Sequence, residues 1–114
     1  MRYKFKDKEG FSPPFTYIHP YKQKEVKNIV DKLKGRVEAI IVFGSSVAYH
    51  CWTGSDIDLC LIGISPEDIK RGELPNSDVL YYKTKEEFLN NANTDLWTIE
   101  KEILEKGVVV WKME

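Results

Sequence analysis

The sequence predicts an α/β or α+β fold, a small mixed β-sheet with helices packed on it. Three observations predict it. Residues 37–43, Val-Glu-Ala-Ile-Ile-Val-Phe, form a nearly continuous apolar run, as expected of a strand buried on both faces. Just before it, Val26, Ile29, Val30 and Leu33 recur at helical spacing within residues 21–34. A second apolar segment, residues 56–64, follows after a turn and carries two carboxylates, Asp56 and Asp58. The 114 residues suit one domain with one core. We divide them into an N-terminal arm, residues 1–20, and a single domain, residues 21–114.

In the arm, Arg2 to Lys6 alternates like a short edge strand, Gly10 to Pro14 reads as a turn, and Phe15 to His19 as a short extended piece. The helix over 21–34 stops at Gly35, with Lys22, Lys24, Lys27, Lys32 and Lys34 on its solvated side. A tight Gly44-Ser45 turn follows the first strand. Residues 46–52 read as a short helix and Thr53-Gly54-Ser55 as a loop. In the second strand, Asp56, Asp58, Cys60 and Ile62 share one face, while Ile57, Leu59, Leu61 and Ile64 supply the buried one. Ser65-Pro66-Glu67-Asp68 has the cap, proline and acids of a helix start, cut short by Gly72 and Pro75. Asp78 to Tyr82 is a third strand. Thr84 to Glu87 is a capping box opening a helix to about residue 91. A last helix over about 95–106, with Leu96, Ile99, Ile103 and Leu104 inward, stops at Gly107 before a short strand, Val108 to Trp111.

Composition narrows the function classes. With 42% hydrophobic and 31% charged residues the chain can fold. A net charge of -1 argues against a general nucleic-acid binder. The charge is uneven, at +5 over residues 1–34 and -6 over residues 35–114. The basic arm and helix lysines therefore leave a nucleic-acid acceptor open. Cys51 and Cys60 form no CxxC pair, and Cys51 beside His50 offers too few ligands for zinc. The sequence has no apolar run near 18 residues and no signal-peptide pattern, which predicts a soluble cytoplasmic protein and no membrane. Trp52, Trp97 and Trp111 read as core or interface packing, and His50 as a surface position.

The chemistry rests on Asp56 and Asp58. Strand alternation points both the same way, about 6.5 Å apart along the chain. Two acids in an apolar strand repel and resist burial, and a divalent cation relieves both problems. Magnesium takes one or two carboxylates together with substrate phosphates, and two ions about 3.5–4 Å apart can clamp an in-line displacement. Asp78, opening a strand that could pair beside Asp56–Leu61, is the third candidate ligand and the candidate acceptor of a proton. Gly44 permits close approach of a phosphate, and Ser45, at the mouth of the next short helix, can donate its hydroxyl and N–H.

Gly44-Ser45, ten intervening residues, then Asp56-Ile57-Asp58 resembles the signature of the DNA polymerase beta-like nucleotidyltransferases, and the chain's length resembles their minimal branch. The resemblance spans roughly residues 24–111 and includes Ser55 and Leu59, which flank the acids. It implies the nucleotidyltransferase fold. It also implies metal binding and catalysis by Asp56, Asp58 and Asp78, with nucleotide held by Gly44, Ser45 and Ser55. The expected cofactor is magnesium, with manganese as alternative, and the expected substrate is ATP or another nucleoside triphosphate. The reaction implied is transfer of a nucleoside monophosphate, AMP from ATP, to a hydroxyl of a protein or small molecule. Minimal members often pair with a small helical partner of the HEPN type as toxin–antitoxin modules. The alternative is therefore a catalytically weak nucleotide-binding antitoxin that covers a partner. The domain's small size leaves little room for an acceptor pocket, which favours such a partner or a homo-oligomer. One departure matters: family members commonly carry Arg soon after Gly-Ser, whereas Ser46-Val47-Ala48-Tyr49 has no basic residue. Either phosphate affinity is weaker or a lysine such as Lys83 substitutes.

Overall fold

A computed structural model describes residues 4–5 and 13–113. It contains helix α1 (Gln23–Leu33), strands β1 (Ala39–Phe43), β2 (Ile57–Ile62) and β3 (Ser77–Tyr82), helices α2 (Lys85–Ala92) and α3 (Ile99–Lys106), and strand β4 (Val108–Lys112). The sheet order is β3-β2-β1-β4. β1 is antiparallel to both of its neighbours, and β2 and β3 are parallel, so the sheet is mixed as expected.

The two apolar strands lie in the middle because both of their faces can be covered. Val26, Val30 and Leu33 of α1 pack on Ile40, Val42, Leu59 and Leu61. On the other side, Ile41, Phe43, Cys60 and Ile62 meet Phe88 of α2 and Ile103 of α3. The β2 face carrying Asp58 is thus buried further along, at Cys60 and Ile62, by the second helical layer. No helix among the described residues is long and apolar enough to cross a membrane.

Several local expectations are corrected. Phe15–Tyr17 is a 3-10 turn rather than an extended piece, and Gly44–Val47 is a 3-10 turn where a helix over 46–52 was expected. Pro66–Asp68 is likewise only a 3-10 turn, broken before Gly72 and Pro75. The strand expected at Arg2 to Lys6 and the turn at Gly10 to Pro14 lie mostly outside the described residues. α3 begins later than residue 95, because Thr98 accepts the backbone N–H of Lys101 (3.2 Å) and fixes the start. Leu96 therefore sits in the preceding loop, 78% exposed, and Leu104 faces out at 49%. Trp52 and Trp97 are also exposed, so neither is core. Lys22, expected on the solvated side, is only 2% exposed.

The described end of the arm joins the core. Ile18 is buried, its carbonyl accepts from Gln23 Nε2 (3.0 Å), and His19 N–H donates to the Ser46 carbonyl (2.7 Å). Arg36 grips Glu73 at 2.7 and 3.2 Å, tying the α1–β1 link to the loop before β3. That guanidinium holds the half-buried Glu73 carboxyl down at about 2.

Candidate active site

β1 ends at Phe43, and the chain turns at Gly44 with φ +74°, in the left-handed region that favours glycine. Phe43 pairs with Asp58 across the β1–β2 ladder. A Cβ placed on Gly44 would lie 2.1 Å from Asp58 Oδ2, so the carboxylate rests directly against the glycine backbone. Only glycine permits that contact.

The third acid arrives through the parallel ladder. Asp58 pairs with Asp78, and laterally paired residues share a sheet face on strands about 4.8 Å apart. Asp56 precedes β2 by one residue, and strand alternation assigns it to the same side as Asp58. Asp58 is half-buried, while Asp56 and Asp78 are exposed. Asp58 and Asp78 thus stand side by side at the start of β2 and the edge strand β3, with Asp56 two residues before Asp58. Burial, then the charge of Asp78, then that of Asp56 push the Asp58 carboxyl above the ordinary carboxylate range. Among the described residues no group of three or more His, Cys, Asp or Glu side chains is placed to hold a metal ion.

The raised pKa carries a pH prediction. Between the unfolded value of 3.8 and the higher folded value, the folded protein binds more protons than the unfolded chain. Stability then falls as pH rises through that window. Asp58→Asn removes the penalty. In EDTA at neutral pH the variant should melt at a higher temperature than the unsubstituted protein, and the difference should vanish near pH 3. Melting curves across pH test this; a variant less stable at neutral pH would contradict it.

The two candidate serines stand differently. Ser45 lies partly exposed on the turn beside Gly44, and its carbonyl closes the turn on Ala48 N–H (3.1 Å). The four-residue turn is too short for the helix-end effect expected of Ser45, leaving its own hydroxyl and N–H. Ser55 closes the loop before Asp56: its Oγ accepts from Trp52 N–H (3.2 Å) and its N–H donates to the Trp52 carbonyl (3.0 Å). Lys22 reaches the same loop from α1, with Nζ donating to the Thr53 carbonyl (3.1 Å).

A cavity of about 500 Å³ opens at the turn, lined in part by Gly44, Ser45, Tyr49, His50, Glu102 and Lys106. Lys83, the substitute lysine suggested by sequence, is elsewhere. It follows β3 five residues beyond Asp78, about 16 Å along the strand. Its backbone N–H donates to Glu87 Oε2 (3.4 Å). Lys106 and Glu102 had no sequence signal, because only the β1–β4 pairing brings the end of α3 to the Gly44 turn.

The family model described as polymerase beta, nucleotidyltransferase matches residues 24–114. The chain belongs to the polymerase beta nucleotidyltransferase family. The match runs from within α1 past β4, so this nucleotidyltransferase domain includes the Gly44 turn, all three acids and α3. Comparisons with curated proteins and with solved structures gave no significant match. The mixed four-stranded sheet between helices agrees with the nucleotidyltransferase fold.

Proposed function

We propose that this domain transfers a nucleoside monophosphate, AMP from ATP, to a hydroxyl of a protein or small molecule with the help of two magnesium or manganese ions. One observation carries the reading: the Asp58 carboxylate lies against Gly44, with Asp78 in register beside it. The contact supports metal and phosphate sites that adjoin. The burial of Asp58, with the charges of Asp78 and Asp56 beside it, supports a cationic occupant, and an all-oxygen donor set fits magnesium.

Asp56 and Asp58 would hold the ions, with Asp78 completing the second site. When bound, magnesium offsets the carboxylate charge and draws electron density from the phosphate oxygens. The chain's own groups do the rest. Gly44 lets the β- and γ-phosphates approach the backbone, and Ser45 donates to them. Asp78 orients the acceptor hydroxyl and takes its proton. The acceptor oxygen bonds to the α-phosphorus, the bond from that phosphorus to the β-bridging oxygen breaks, and pyrophosphate leaves.

A second reading, a weakly catalytic antitoxin-type module that covers a helical partner of the HEPN type, is favoured by exposed Trp52, Leu96 and Trp97. Incubation with labelled ATP, magnesium and a co-purifying partner separates the two. The enzyme should move label to the acceptor, and Asp58→Asn should lower the rate by at least about 10³-fold. Magnesium plus ATP at about 100 times Kd should also raise the melting temperature by roughly 10 °C. Partner binding that survives Asp56→Asn and Asp58→Asn, with no label moved by the unsubstituted protein, favours the module instead.

A further inference from the structure

We propose that Lys106, at the last turn of α3, is the cation that binds the triphosphate tail in this chain, and that Glu102 restrains it until nucleotide arrives. The inference rests on the nucleotide-binding reading above and assigns the phosphate contact that the turn lacks. Residues 46–49 after Gly44-Ser45 carry no positive charge. Ser46 and Val47 are buried, and the exposed position of the stretch, Tyr49, carries no charge.

The sheet supplies the charge from another direction. Val42 pairs with Val108 in an antiparallel ladder. Stepping forward from Val42 reaches Gly44, and stepping back from Val108 reaches Lys106. The end of α3 therefore stands beside the glycine turn. Lys106 and Gly44-Ser45 line the same cavity of about 500 Å³, large enough for a nucleotide's phosphates. α3 also covers the sheet face shared by Phe43 and Cys60, which strand alternation makes the face of Asp58. α3 thus lies on the sheet face of Asp58, and Gly44 is the link between the two: it lines the cavity with Lys106 and rests against the Asp58 carboxylate, although none of the three acids is part of the cavity lining.

Glu102, one turn back, holds Lys106 at 3.8 Å and lines the same cavity. Lys106 is exposed and Glu102 partly so, and the pair contributes little to stability. Its carboxylate opposes phosphate while its neighbour attracts it. Binding then requires Lys106 to exchange Glu102 for a phosphate oxygen, a stronger charge-assisted contact.

The experiment measures affinity for ATP, AMP and inorganic tripolyphosphate, each with magnesium, on the full chain. Lys106→Met should weaken ATP and tripolyphosphate at least about tenfold and leave AMP nearly unchanged. Lys106→Arg should restore most of the affinity, and Glu102→Gln should strengthen both triphosphates. Melting without ligand should be unchanged in all three. If Asp58→Asn abolishes ATP binding while Lys106→Met binds like the unsubstituted protein, the Lys106 assignment is wrong and the site stands. If the unsubstituted protein binds neither triphosphate, both readings fall.

Discussion

Gly44→Ala should abolish magnesium- and ATP-linked stabilisation, whereas Gly35→Ala should preserve it. Both glycines have positive φ, +74° and +87°. A methyl group at either costs about 1–2 kcal/mol of backbone strain. At Gly35 nothing lies within 4 Å of the added carbon, so strain is the whole effect. The melting temperature should drop by about 4–8 °C per kcal/mol. At Gly44 the added carbon would also sit 2.1 Å from Asp58 Oδ2. The carboxylate must then swing away, or the turn must open. Either movement separates the acids from the phosphate turn. Thermal melting of both variants, with and without magnesium plus ATP, isolates the contact, since Gly35→Ala reports strain alone. A Gly44→Ala protein that keeps the full ligand-induced shift would show that the close approach does not matter.

What the sequence made legible follows from which signals are local. The apolar run before Gly44 could only be a strand covered on both faces, and β1 is covered by α1 on one side and by α2 and α3 on the other. The Thr84 cap was also local: Thr84 Oγ1 accepts Glu87 N–H at 3.1 Å, while the returning Glu87 carboxylate accepts from Lys83 N–H rather than closing the expected capping box on Thr84. Asp56 and Asp58 could be assigned to one face because strand alternation depends on nothing distant. Asp78 was legible as a strand start, but its pairing with Asp58 is a property of the β2–β3 ladder.

The misreadings came from tertiary context. Lys22 looks like the other helix lysines, yet its ammonium passes inward to a carbonyl 31 residues away. Leu96 and Leu104 matched an inward helical stripe that the Thr98 cap cut off at one end and rotated away at the other. Lys83 is near Asp78 in sequence but leaves from the far end of the strand. Lys106 is distant in sequence but returns beside Gly44 through β4.

Phe88→Ala should cost the most stability of any single truncation in the second helical layer. Phe88 is 2% exposed and meets Tyr82 edge-on at 5.1 Å, with Ile41, Cys60, Ile62 and Ile103 in the same cluster. α2 has eight residues, too few to hold together without its docking face. Phe88 and Ala92 are its only buried residues. Truncating the ring should cost about 3–5 kcal/mol, a large part of the roughly 5–15 kcal/mol that holds a typical domain together. Tyr82→Phe is the graded control. It removes the hydroxyl that donates to Glu100 Oε2 at 2.5 Å but keeps the ring under Phe88, so about 1–2 kcal/mol is expected. α2 packs toward the Tyr82 end of the sheet, away from Asp58 and Asp78. The increment from magnesium plus ATP should therefore survive in Phe88→Ala even as the baseline falls. Denaturant unfolding with and without ligand measures both quantities. A loss below about 1.5 kcal/mol, the range of tolerated core swaps, would mean that α2 is held by something other than this ring.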